Sequence, residues 1–122
     1  ALMYAAVTGN ADIVRVLLDR GAWAEMRDRF GNTALMLAAD RGRIDAAELL
    51  LDRGAKVDAE NKQGVTPVMQ AAASGWVEMV RLLLKRGADP RRQDYSGFSA
   101  VEWAERSNQR RTAEVLRRAA AR

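Results

Sequence analysis

The 122-residue chain contains no cysteine and no histidine. Disulfides, thiolate nucleophiles, imidazole bases and zinc sites built from those ligands are therefore excluded, and much of ordinary enzymology with them. No apolar run approaches the roughly 20 residues needed to cross a bilayer, and no basic start followed by an apolar stretch marks a signal peptide. The expectation is a soluble, cytoplasmic chain without membrane insertion. Phosphate-cradling GxxxxGK(S/T), nucleophile-elbow GxSxG and dinucleotide GxGxxG segments are also missing.

What is present is a chain of single-domain length, 48% hydrophobic and able to bury a core. Its net charge of +4 is unevenly spread: residues 1–64 carry 9 Lys/Arg against 10 Asp/Glu, and residues 65–122 carry 11 against 6. A skew of this size can steer an acidic partner but does not by itself mark a nucleic-acid binder.

The dominant signal is a period. TALMLAADRG at 33–42 returns as TPVMQAAASG at 66–75, and Gly31, Gly64 and Gly97 stand 33 residues apart. Aligned on that period, the chain reads as a partial first unit (1–31), full units at 32–64 and 65–97, and a shortened capping unit (98–122). Each full unit reads as helix, turn, helix, loop. Thr33, Thr66 and Ser99 stand where a side-chain oxygen caps a helix start, with Pro67 at the first helical position. Gly9, Gly42 and Gly75 end the first helix about two turns later, and Asn108 replaces glycine in the last unit. The second helix opens with an acid (Asp12, Asp45, Glu78) and closes with a base (Arg20, Arg53, Arg86), matching its dipole, before Gly21, Gly54 and Gly87 stop it. VRVLL, AELLL and VRLLL spread apolar residues over too wide an arc for one contact surface. Helices of roughly seven and ten residues are unstable alone, so the units must stack, with Leu50 and Leu83 deep between them.

These residues resemble the ankyrin repeat family, whose unit of about 33 residues carries a T-P-L-H-x-A signature. The likeness covers essentially the whole chain and extends to G-x-x-E/D before the second helix (Gly9/Asp12, Gly42/Asp45, Gly75/Glu78) and to GADP at 87–90. It implies an all-α solenoid of stacked helix-turn-helix units joined by hairpin-like loops. The signature histidine is replaced by Met3, Met36 and Met69, and by Glu102 in the last unit, so thioether packing is expected in place of imidazole hydrogen bonds. The excess of arginine over lysine, the abundant alanine and those methionines look like bacterial members of the family.

Glu105, Arg117 and Arg118 place charge where a further unit would dock, while Ala113, Val115, Leu116 and Ala120 keep an apolar strip facing the unit before; this reads as a C-terminal cap. The opening Ala1-Leu2-Met3 lies inside a first helix without a capping threonine, so the chain is expected to be a fragment of a longer array.

Candidate chemistry is sparse. The ladder Asp12, Asp45, Glu78 shares one position in three units, but adjacent helices lie about 8 to 10 Å apart, too far for shared coordination of a hard cation. Glu102 and Glu105 have no obvious second carboxylate, and the repeated methionines read as filler between units. No catalytic residue, metal site or cofactor is expected.

The resemblance implies an unidentified protein partner, held in a concave groove lined by loop tips and the exposed sides of the first helices. Carried over by position, the tips are Arg29, Phe30 and Asn32, then Lys62, Gln63 and Val65, then Tyr95, Ser96 and Phe98. The helix positions are Tyr4, Val7 and Thr8, then Leu37, Asp40 and Arg41, then Gln70, Ala73 and Ser74, then Trp103, Arg106 and Ser107. Independently, Phe30, Tyr95 and Phe98 lie in polar stretches outside the helical pattern, and aromatics and arginines dominate interface energetics. Trp103 shares its position with Tyr4, Leu37 and Gln70, a variability unlike core, whereas Trp23 and Trp76 are expected half-buried at loops or helix starts. The leading expectation is a monomeric, non-catalytic protein-interaction module anchored by Phe30, Tyr95 and Trp103. The alternative is an acidic polymer, nucleic acid or anionic surface, bound by Arg91, Arg92, Arg106, Arg110, Arg111, Arg117, Arg118 and Arg122. Against it, Glu114 sits at i, i+4 spacing from both Arg110 and Arg118, as on a solvated, internally paired helix.

Overall fold

A computed structural model describes residues 1–121. Eight helices run in order: α1 (Leu2–Thr8), α2 (Ala11–Asp19), α3 (Ala34–Arg41), α4 (Ile44–Asp52), α5 (Pro67–Ser74), α6 (Val77–Lys85), α7 (Ala100–Arg106) and α8 (Arg110–Ala120). They form four hairpin pairs. The odd-numbered helices stack in one layer, α1 on α3 on α5 on α7, and the even-numbered helices stack in a second. Among the described residues there is no sheet, only an isolated antiparallel bridge between Gln93 and Ser99. Among the described residues no helix is long and apolar enough to cross a membrane. The expected all-α solenoid is the architecture found.

The helix ends follow local rules. Thr33 Oγ accepts the Met36 N–H at 3.4 Å, and Asn10 Oδ1 accepts the Ile13 N–H at 3.2 Å. Two of the four residues at the signature-histidine position, Met69 and Glu102, do more than fill space. Met69 Sδ accepts the Thr66 N–H at 3.4 Å, and Glu102 Oε1 accepts both the N–H and the hydroxyl of Ser99 at 3.2 Å. A thioether and a carboxylate thus reach back to the helix start, so the expectation of packing alone understates Met69 and Glu102.

Tight stacking depends on small side chains. Ala38, Ala39, Ala71, Ala72 and Ala104 are completely buried in the inner layer, while Val14, Leu50, Leu83 and Leu116 fill the space between the layers. Gly42 shows why alanine cannot stand everywhere. Its φ is 69°, and a Cβ there would lie 2.7 Å from the Trp76 ring. Trp76 stands just before α6 and folds back over the preceding unit, where its indole N–H donates to the Asp40 carbonyl at 2.8 Å. Arg43 does the same one unit earlier, donating to Val7 O at 3.0 Å.

Arg53 and Arg86, read from sequence as dipole partners of their own helices, stand just beyond the helix ends and reach the previous unit instead. Arg53 pairs with Asp19 at 2.6 Å and Arg86 pairs with Asp52. Trp23 is more exposed than the half-burial expected of it. The C-terminal strip is as expected, with Ala113 and Leu116 buried and Arg110, Arg111, Arg117 and Arg118 facing solvent.

Leu50 and Leu83 are both 0% exposed. Truncating either to alanine is expected to cost about 2 to 5 kcal/mol, measured by urea denaturation. A loss below about 0.5 kcal/mol, the scale of surface changes, contradicts the stacking register.

Candidate functional site

The loop tips are organised by three residues that the sequence reading passed over. Asp28, Asn61 and Asp94 stand one period apart, and each turns its Oδ1 back onto its own loop. Asp28 accepts the N–H groups of Phe30 and Asn32, both at 2.9 Å. Asn61 accepts those of Gln63 and Val65 at 2.9 and 3.0 Å, and Asp94 those of Ser96 and Phe98 at 2.9 Å. An Asx residue two positions before a tip is a turn signal. Its recurrence every 33 residues was visible in the sequence.

Burial, the largest single influence on the Asp28 carboxyl, pushes its pKa up, but the N–H groups of Asn32 and Phe30, the Asn32 side-chain amide and the Arg29 charge together outweigh it and hold the pKa below the ordinary aspartate value.

Neighbouring tips are then joined to each other. The Lys62 N–H donates to Phe30 O at 3.1 Å, and the Tyr95 N–H to Gln63 O at 3.0 Å. Asn61 Nδ2 donates to Asn32 Oδ1 at 3.0 Å, while the Arg27 guanidinium bridges Gly31 O (2.8 Å) and Glu60 O (2.6 Å). The result is a row of tips tied by main-chain and amide bonds, standing beside the layer of first helices.

On this frame Tyr4, Phe30 and Tyr95 project, 75%, 53% and 70% exposed. The Tyr95 ring lies against Gly64, where a Cβ would come within 2.6 Å of it, and its hydroxyl is 3.5 Å from Glu60 Oε1. The Arg29 guanidinium sits 5.0 Å over the Phe30 ring. Asp40, Arg41, Lys62, Gln63, Ser96 and Arg106 are exposed as well, while Leu37 and Ser74 are half-buried.

Other positions differ from expectation. Val65, assigned to a tip, is buried in the core cluster, because its N–H is drawn in by Asn61. Asn32 is half-buried, its amide engaged by Asp28 and Asn61. Phe98 is half-buried beneath the Arg106 guanidinium, 4.3 Å from the ring centroid. Trp103, read as a position outside the core, is half-buried against it, and its indole N–H donates to Asp94 Oδ2 at 3.0 Å.

Trp103, Asp40 and Gln70 nevertheless meet. With Asn61, Gln63, Val65, Met69 and Ala73 they line a hollow of about 260 Å³ between the first helices and the tips. Tyr4, Arg29 and Phe30 lie apart from it, at the first unit.

Among the described residues no three acidic side chains come together as a metal site would require. Asp12 pairs with Arg15 at 3.0 Å, and Glu78 lies 3.9 Å from Arg81, each within its own helix. Glu102 caps α7 and Glu105 pairs with Arg117. Stacked helical hairpins with hydrogen-bonded tips define a repeat solenoid, a class whose working surface is its groove. The family model for ankyrin repeats (3 copies) matches residues 1–61 and 54–121, and the chain belongs to the ankyrin repeat family. Members of that family are generally protein–protein interaction modules and typically non-enzymatic. No curated protein matches the chain.

Asp28→Ala, which removes three accepted bonds from a tip, is expected to cost about 1 to 3 kcal/mol in denaturant melts, and Asp28→Asn much less, since Asn61 does the same work. A pKa held below its unfolded value stabilises the fold above that value. The contribution is lost as pH falls through the folded pKa, and Asp28→Asn should lack this part of the acid-side decline between about pH 5 and 2.

Proposed function

We propose that the chain is a non-catalytic module that grips a protein partner along the groove between its loop tips and first helices. The observation that carries this reading is Tyr95. Its backbone is tied to the neighbouring tip and its ring seated on Gly64, yet 70% of its surface is open. An aromatic ordered in advance loses little freedom on binding, and aromatics of this kind supply most of the energy of an interface. Phe30 and Tyr4 extend the exposed aromatic surface toward the first unit, with Arg29, Arg41 and Arg106 as the surrounding charge.

The electrostatic alternative has fewer arginines to draw on than the sequence suggests. Arg117 pairs with Glu105, Arg118 with Glu114 at 2.8 Å, and Arg91 donates to the Ala120 carbonyl at 2.9 Å. Arg106 lies over Phe98, and Arg122 falls outside the described residues. Arg117, Arg118 and Arg91 thus direct donors to this chain's own groups, and fewer guanidiniums are left to meet a polyanion.

Phe30→Ala with Tyr95→Ala removes two open side chains and is expected to leave the thermal melt nearly unchanged while weakening binding of a captured protein partner at least tenfold. Full binding by the folded double mutant overturns the groove assignment. Affinity that instead falls steeply between low and physiological salt moves the reading to the acidic polymer.

A further inference from the structure

We infer that the hollow between α3, α5 and α7 is a subsite for an arginine side chain of the protein partner, an inference that rests on the groove reading above. Its chemistry is one-sided. Asp40 is the sole charged residue among its lining, and Asp40 Oδ1 accepts only a neutral hydroxyl, from Ser74 at 3.1 Å. The Arg41 Nε is 3.9 Å from the other carboxylate oxygen, too far for a hydrogen bond. Gln70 lines the same hollow, and its Oε1 is buried with no hydrogen-bond partner among the described residues. A buried acceptor without a donor is uncommon, and a donor arriving in the hollow would meet that need.

The remaining walls narrow the choice of occupant. Asn61 is already engaged, its Oδ1 by two N–H groups and its Nδ2 by Asn32. The Trp103 indole gives its only donor to the Asp94 carboxylate, which leaves its π face as the feature it can offer, beside an anion that favours a cation there. Val65, Met69 and Ala73 supply an apolar lining for an aliphatic stem. An acidic or phosphorylated side chain would meet Asp40 with like charge. A purely apolar one would leave both acceptors dry. Lysine brings a point charge, whereas arginine brings a planar cation that stacks on an indole and carries five donors, enough for a carboxylate and an amide oxygen at once. The volume, about 260 Å³, admits one such side chain and not a folded element.

The test uses capped, otherwise neutral pentapeptides with a central arginine, lysine or citrulline, titrated into the isotopically labelled chain. The indole N–H signal of Trp103 reports the hollow, and that of Trp23, which lies outside its lining, serves as the internal control; the Trp76 signal does not serve, since its N–H is bonded to the Asp40 carbonyl. The arginine peptide should shift the Trp103 signal saturably in the millimolar range. Citrulline should bind at least about fivefold more weakly, and Asp40→Asn should weaken arginine binding by a similar factor. Arginine and citrulline binding alike, or no Trp103 shift at about 10 mM, overturns the subsite. Peptides selected from a random display library against the immobilised chain separate the two readings. If they depend on Phe30 and Tyr95 but bind the Asp40→Asn chain undiminished, the groove stands and the arginine subsite falls. If they ignore all three residues, both fall.

Discussion

Every feature of this molecule depends on one contact, that of each helical hairpin with the hairpin before it. The longest helix has eleven residues and the shortest seven, lengths at which an isolated helix in water is marginal at best. One position displays the dependence directly. Ile13, at the first unit, is 48% exposed, while Ala46 and Met79, one and two periods later, are fully buried by the unit that precedes each of them. The same residue position is core or surface according to whether a neighbour lies against it. Stability in such an array accrues from unit-to-unit interfaces rather than from the units themselves.

The contact that stabilises the stack also shapes the proposed binding surface. Bonds that cross from one unit to the next, Trp76 to Asp40, Arg43 to Val7, Tyr95 to Gln63 and Lys62 to Phe30, span 32 to 36 residues of sequence. They hold tips and first helices in a fixed relation, so the groove between them is set by the stack itself. That is the condition under which a few exposed aromatics bind without a large ordering cost. Glycine serves both ends. At Gly42 and Gly64 the left-handed backbone ends a helix or turns a tip, and the absent side chain admits a tryptophan or tyrosine from the next unit.

Charge follows the same logic of neighbours. The net of +4 is concentrated toward the C-terminus, yet many of its arginines are engaged with acids or carbonyls, several of them in another helix. Arg53 and Arg86 repeat one ion pair at successive junctions, with Asp19 and Asp52. Each such exposed pair contributes little to stability, but together they spend charge that composition alone would assign to a ligand.

The period, the helix pairs, the glycine stops and the apolar strip of the last helix were all legible in the chain, because each is a local propensity written at a fixed spacing. The Asx residues of the tips are legible too, since Asp28, Asn61 and Asp94 repeat at the same 33-residue spacing two positions before each tip. Accessibility was another matter. Nothing near Trp103 in sequence says that Asp94 takes its indole N–H; nothing near Val65 says that its tip position turns inward. Sequence by itself determined the repeat and hence the architecture, since short-range backbone preferences and a 33-residue period leave one economical way to bury the apolar faces. Only the tertiary structure decided which groove residues stay open, which acceptors lack a donor and which charges are already matched. Those properties depend on atoms that lie a full period away along the chain and a few ångströms away in space.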